Sequence, residues 1–321
     1  MTPDIAKELL FRMKRIRHIE EEISVRYAEQ AMRCPVHLCT GQEAVSAAAG
    51  LALKTTDFAV SGHRAHGHYM GKGGDVPAML AEMYGKKTGC AGGRGGSMHL
   101  IDESVGFMGS TAIVGNTIPV GVGLGLSFKL SGTDQVSCIF FGDGAVETGV
   151  FYESMNFAAV KKLPVLFVCE NNLYSVYSPL HVRQPEGRKI FELAKAIGVE
   201  SAHGDGNDVE LVYTMLADAI ARIRTGAGPQ FLEFDTYRWR EHCGPNFDND
   251  IGYRTEQEYL ENRALEPIKK QQDKLLQAKL ITTAEIAAHE ESVRVETDAA
   301  FRFAIESPFP DKADVYRNIY A

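Results

Sequence analysis

Residues 136–172 read VSCIFFGDGAVETGVFYESMNFAAVKKLPVLFVCENN. Two short apolar runs, Val136–Phe141 and Val165–Cys169, have the length and composition of buried strands. Between them, Glu147 to Lys161 carries a helical pattern, with Phe151, Met155, Ala158 and Ala159 along one side. A strand, a crossover helix and a second strand place both strands in one parallel sheet. Ligands of such sheets bind beyond the carboxyl ends of the strands. Gly142-Asp143-Gly144 and Asn171-Asn172 fall there. A carboxylate and an amide oxygen converging beside a glycine turn and a helix N-terminus suit a hard cation chelated by a diphosphate.

Working outward, the alternation continues as a helix near 188–197, a helix over 208–224 and a strand over 230–236, which predicts an α/β fold whose parallel sheet is covered by helices on both faces. Upstream, Leu9, Leu10, Met13, Ile16, Ile19 and Ile23 mark an amphipathic helix over about 3–33. The Gly- and His-rich stretch from His63 to Leu100 reads as loop, its glycines letting backbone approach a ligand. From about 254 to 321 the chain is charged and helical, with Ser307-Pro308-Phe309-Pro310 extended, an arm on one domain that spans residues 1–321.

Bulk properties narrow the function. A formal charge of −8 over 321 residues argues against a nucleic-acid partner, which needs a basic face. No run approaches the roughly 18 apolar residues of a membrane span. The N-terminus lacks an apolar signal core and is acidic around Glu20-Glu21-Glu22, so a cytoplasmic protein is expected, bacterial or a processed mature form. The six cysteines form no C-x-x-C pair and read as buried apolar residues or free thiols. Cys34, His37 and Cys39 have the flavour of a zinc site but no fourth ligand at usable spacing. Gly121, Gly123 and Gly125 miss the dinucleotide spacing at Leu126 and are expected to allow close helix packing instead, which disfavours a nicotinamide dehydrogenase.

Taken together, Gly142-Asp143-Gly144 with Asn171-Asn172, Gly41-Gln42-Glu43-Ala44, His63-Arg64-Ala65-His66-Gly67, Gly95-Gly96-Ser97-Met98-His99, Ile113-Val114-Gly115 and Thr236-Tyr237-Arg238 resemble, in order, the motifs of one family. It is the α subunit of the two-subunit E1 component of thiamine-diphosphate-dependent 2-oxo acid dehydrogenases, the pyruvate, branched-chain 2-oxo acid and acetoin group. The resemblance implies thiamine diphosphate and Mg²⁺ as cofactors. Asp143, Asn172 and the Tyr174 carbonyl would hold the metal, with Gly142, Gly144 and Ala145 beside the diphosphate. Arg64 would pair with the diphosphate, which a planar guanidinium suits, and His63 stands where many relatives have tyrosine. Ala112 and Val114 would hold the aminopyrimidine; Ala112 replaces a common glycine. His242 matches the histidine of the loop over the active site, which contacts the diphosphate and assists the acyl-acceptor step. His99 stands as either a pocket or a structural residue.

Three departures accompany this resemblance. Arg240 replaces the first histidine of the pyruvate-type loop, Cys243 takes the place of a regulatory phosphoserine, and Asp248-Asn249-Asp250 make the loop acidic. The resemblance further implies a β subunit supplying the glutamate that activates the cofactor, a heterotetramer of two α and two β chains, and a lipoyl-bearing acyltransferase. The substrate would be a small 2-oxo acid resembling pyruvate. An acetoin-cleaving dehydrogenase, a stand-alone carboligase or decarboxylase, and a non-catalytic regulatory subunit are the alternatives.

Overall fold

The computed structural model describes residues 1–317; the last four residues of the arm expected over 254–321 lie outside the described residues. Among the described residues eight strands run β1 (Phe58–Ser61), β2 (Phe107–Ser110), β3 (Ser137–Gly142), β4 (Val165–Asn171), β5 (Tyr174–Ser175), β6 (Ser178–Pro179), β7 (Glu200–Asp205) and β8 (Gln230–Asp235). Six of them form one sheet in the order β2-β1-β3-β4-β8-β7, every neighbouring pair parallel. β5 and β6 make a small antiparallel pair beyond the end of β4.

Alternation along the strands divides the core between two faces. Cys138, Phe140, Leu166, Val168, Leu232 and Phe234 meet a large helical layer containing α1 (Pro3–Tyr27), α2 (Glu43–Ala52), α4 (Val76–Met83), α9 (Val209–Arg224), α11 (Pro267–Gln277) and α12 (Thr283–Glu306). Ile139, Phe141, Val165, Phe167, Cys169 and Phe231 meet α5 (Thr117–Ser131), α6 (Gly149–Lys161) and α8 (Ile190–Ala196). This is the expected α/β fold. Both central strands are buried on both faces, which is why they read as continuous apolar runs.

α1 buries all six of its expected apolar positions but stops at Tyr27, short of 33, and Gln30 just beyond has a left-handed φ of 57°. Gly121 and Gly125 lie on α5, where an added Cβ would come 2.3 Å from Ile139 and 2.4 Å from Val165. The packing role expected for those two holds, whereas Gly123 faces open space.

The stretch 63–100 is not simply loop, because it contains α3 (His66–Gly71) and α4. Its glycines serve helix contact as much as ligand approach: a Cβ on Gly67 would meet Ser46 Oγ at 2.6 Å, and one on Gly71 the Ser46 carbonyl at 2.3 Å. The edge strand β7 (ESAHGD) escapes an apolar pattern because most of its side chains are not buried. The expected arm comprises α10 (Glu256–Arg263), α11 and α12, after which the Pro308 carbonyl accepts from the Lys87 amide at 2.9 Å. Among the described residues no helix is long and apolar enough to cross a membrane.

Candidate active site

β3 and β4 are neighbours with Gly142 opposite Glu170, so the Gly142-Asp143-Gly144 turn and Asn172 leave adjacent strands at the same end of the sheet. A pocket opens there, lined by Gln42, His63, Arg64, Val114, Gly142, Asp143, Gly144, Ala145, Asn172, Tyr174 and His242 together with His68, Glu170 and Ser175. Of the expected site residues only Ala112 stands outside this lining. Its amide reaches His99 Nε2 at 3.4 Å; His99 itself is exposed and bonded to the Gly95 carbonyl, so neither residue belongs to the pocket wall.

Asp143 is 1 % exposed. Burial raises its carboxyl above the usual carboxylate range, while the Arg183 guanidinium and the Asp143 and Asn172 backbone amides favour the charged form. Arg183, on α7 (Leu180–Arg183), bonds both Asp143 and Glu147. A buried carboxylate is held ionised by a cation, and here a guanidinium fills that role. Asn172 Oδ1 accepts from the Tyr174 amide at 3.3 Å, and its amide group donates to Gln42 Oε1 at 3.3 Å. The Tyr174 hydroxyl turns away to Glu258 at 2.7 Å, which leaves the backbone as that residue's link to the pocket. A Cβ on Gly144 would stand 2.8 Å from Ser175 Oγ, so the turn admits only glycine without rearrangement. The residues present therefore fit a metal-bound diphosphate: oxygen donors on which a metal ion could take the place of the Arg183 guanidinium, backed by glycines that leave the backbone open.

Basic groups line the other wall. Arg64 spends one guanidinium nitrogen on the Leu38 carbonyl at 2.6 Å and another on the His242 carbonyl at 3.3 Å, which ties α3's leading loop to the segment after β8. Burial lowers its pKa to about 10. His63 falls to about 4 and His242 to about 3, each first by burial and then by the Arg64 charge. The segment carrying His242 is clamped: Trp239 lies under the Arg17 guanidinium at 4.1 Å, and its amide donates to the Thr40 carbonyl at 3.1 Å.

One sequence expectation changes. Asp248 does not make the loop acidic toward solvent, because it is buried between Arg238 (3.2 Å) and Arg254. Cys34, His37 and Cys39 are not gathered into a cluster. Cys34 Sγ faces the Met83 carbonyl at 3.7 Å, Cys39 is buried, and His37 joins His63 and His242 instead. Arg240, in place of the first loop histidine, turns from the pocket to Glu21. Cys243 is exposed.

Sequence reasoning gave no role to Gln42, Glu170 or Arg183. Glu170 is the only pocket carboxylate besides Asp143 among the described residues, and it lies 2.8 Å from His68 Nε2. His68 is bonded to Ser61 Oγ at 2.8 Å and stacked on Phe140 at 4.0 Å. A charged residue closing the apolar run Val165–Cys169 was a visible signal for Glu170. For Arg183, on a four-residue helix, there was none.

Fold and site together define a class: a doubly covered parallel α/β protein with a buried, guanidinium-paired carboxylate and basic groups around one pocket at the carboxyl ends of its central strands. Residues 11–313 match the family described as "Dehydrogenase E1 component". The chain is 33% identical over 305 residues to the pyruvate dehydrogenase E1 component subunit alpha of Rickettsia felis, covering 95% of this chain and 92% of that one. It is 35% identical over 311 residues to the chloroplastic subunit alpha-3 of Arabidopsis thaliana (95% and 72%) and 34% identical over 310 to the mitochondrial somatic form of Homo sapiens (96% and 78%). The chain belongs to the dehydrogenase E1 component family, and the resemblance to E1 α chains expected from its motifs holds.

Proposed function

We propose that this chain is the α subunit of a thiamine-diphosphate- and Mg²⁺-dependent E1 enzyme that decarboxylates a pyruvate-like 2-oxo acid and passes the acyl unit to a lipoyl acceptor. One observation carries the reading: a buried carboxylate at the end of β3, already neutralised by a cation and beside Asn172 at the end of β4, faces Arg64, His63 and His242 across one pocket. A cation seat beside anion donors is what a chelated diphosphate requires.

When bound, the cofactor supplies the electron sink for loss of CO₂; the chain's own groups bind and orient. Asp143, Asn172 and the Tyr174 carbonyl would hold Mg²⁺, with Arg183 displaced from Asp143. Gly142, Gly144 and Ala145 leave backbone open beside the diphosphate. Arg64, His63 and His242 would donate to the phosphate oxygens, His242 serving also at the acyl-transfer step. Val114 would support the aminopyrimidine, with Ala112 in an outer position.

Glu170 lies beside His68, and by the family resemblance the carboxylic acid that activates the cofactor is assigned to a β subunit, in an assembly of two α and two β chains working with a lipoyl acyltransferase. The whole of 1–321 would act as one domain in the cytoplasm. Arg240 is turned to Glu21, leaving the acceptor step to a single loop histidine, which favours keeping acetoin cleavage or a stand-alone carboligase as the second reading.

The test is calorimetric titration of thiamine diphosphate into the chain co-expressed with its β subunit. Binding should require Mg²⁺ and vanish with a chelator. Equal affinity with and without divalent metal would contradict the assignment.

A further inference from the structure

Arg183 spends all three guanidinium nitrogens within this chain. Nη2 bonds the Asp143 carboxylate, Nη1 bonds Glu147, and Nε donates to the Ser178 carbonyl at 3.0 Å. Its side chain is 9 % exposed, so the pair with Asp143 is a buried one, and a buried carboxylate needs a positive partner. A Cβ on Gly144 would stand 3.7 Å from Arg183 Nη1, which sets the guanidinium against the turn whose backbone lines the pocket.

The backbone around Arg183 is held independently of Asp143. The Leu180 amide donates to the Leu173 carbonyl at 2.8 Å, the Gln184 amide to the Leu180 carbonyl at 2.9 Å, and the Gln184 side chain to Glu147 at 3.4 Å. Loss of the Asp143 contact therefore leaves this segment in place and lets the guanidinium turn about its own side-chain bonds. Arg64, in the pocket wall, makes the contrast. It is tied to the Leu38 and His242 carbonyls and bonds no carboxylate among the described residues, so it has no metal ligand to give up.

We propose, resting on the diphosphate reading above, that Arg183 is a further diphosphate-binding residue that serves as counter-ion of the empty metal seat. When a divalent ion takes Asp143, the guanidinium passes to a phosphate oxygen, so metal and diphosphate bind weakly apart and tightly together.

Charge and donors account for the coupling. Asp143 and Glu147 with Arg183 leave the turn with one net negative charge. A divalent ion arriving alone would make it net positive and would break a buried ion pair with nothing to receive the freed donors. Diphosphate arriving alone would face the Asp143 carboxylate with the Arg183 charge already spent on it. When both arrive, the metal takes Asp143 and the phosphate oxygens take the planar guanidinium, which Glu147 keeps aimed. Each ligand then relieves a cost that the other would meet alone, which is a coupling free energy between two ligands.

The test is Mn²⁺ binding to the complex of this chain with its β subunit, freed of metal and cofactor. Electron paramagnetic resonance of the free ion reads it with and without inorganic diphosphate, the metal–diphosphate complex being measured separately without protein. In the wild type, diphosphate should raise Mn²⁺ affinity by about 50-fold or more, within the usual range for coupled ligands. Arg183→Met should tighten binding of Mn²⁺ alone by about tenfold, the scale of one charged hydrogen bond no longer broken, and cut the enhancement to about threefold or less. Arg183→Lys preserves a charge beside Asp143 if the methionine variant fails to fold; one ammonium lacks the fork that bridges Asp143 and Glu147, so its enhancement should fall between the two. Wild-type enhancement in the Arg183 variants would overturn the role of Arg183 alone. A wild type that binds no Mn²⁺ even with diphosphate would overturn the diphosphate reading itself, and this role with it.

Discussion

The two ends of the pocket differ in how finished they are. At the strand ends, Asp143, Asn172 and Gln42 are buried and bonded to neighbours within this chain, and Glu170 is buried beside His68. At the opposite end, Ile113 and Val114 stand 65 % and 46 % exposed on the loop before α5, large apolar side chains with nothing over them among the described residues. The polar half is built from the sheet, whose geometry this chain fixes alone. The apolar half is a surface that gains its worth when something covers it, as permanent interfaces do. The difference is the one expected if, as proposed, this chain supplies one half of an active site.

Breaking the finished end should have the largest effect. Asp143→Asn removes the charge while keeping the shape, and Mg²⁺-dependent binding of thiamine diphosphate to the assembled protein should fall by about 100-fold or more, since even supporting contacts around a metal cost 10–100-fold. Titration calorimetry reads it; unchanged affinity would move the cation seat elsewhere. The unfinished end should respond differently. Ile113→Glu should abolish or greatly weaken assembly with the β subunit, as seen by size-exclusion chromatography, while the unfolding free energy of the chain stays within about 0.5 kcal/mol, as for other exposed positions. A large loss of stability instead would mean that the loop is packed within this chain.

Glu170→Gln sharpens the comparison further. If the activating carboxylate comes from the partner, turnover by the complex should drop by no more than about tenfold, the scale of a lost supporting contact. A loss matching that of Asp143→Asn would make Glu170 the proton-transferring group and the site complete in one chain.

The smallest effect concerns pH. His63 and His242 are depressed to about 4 and about 3, below the usual value near 6.5. Below pH 6.5 the unfolded chain therefore binds protons that the folded chain refuses, so their stabilising contribution is full above 6.5 and is lost as pH falls toward 4 and 3. Denaturant midpoints of the assembled protein should decline over that window, and His63→Tyr should make the decline shallower; an identical slope would show that His63 titrates freely.

How much of this was legible in the sequence follows from how local each feature is. Gly142-Asp143-Gly144 and Asn172 flank one strand-helix-strand unit, so apolar periodicity alone set them side by side. Gln42 reaches Asn172 from the turn before α2, and Arg183 reaches Asp143 from beyond the β5–β6 pair; neither approach leaves a periodic trace. His37 was visible only as a neighbour of Cys34 and Cys39, whereas its partners arrive from α3's leading loop and the segment after β8. Glycines in 63–100 were ambiguous for the same reason: only the contact of α3 with α2 shows which backbone they admit. Strand β7 was hidden because an exposed edge needs no apolar pattern.

The central claim, half of an active site in one chain, is tested most directly by a paired decarboxylation assay with pyruvate, an artificial oxidant, thiamine diphosphate and Mg²⁺, using this chain alone and co-expressed with its β subunit. The account predicts no turnover by the isolated chain at saturating cofactor and activity in the complex. Turnover by the isolated chain at a rate comparable with the complex would contradict it.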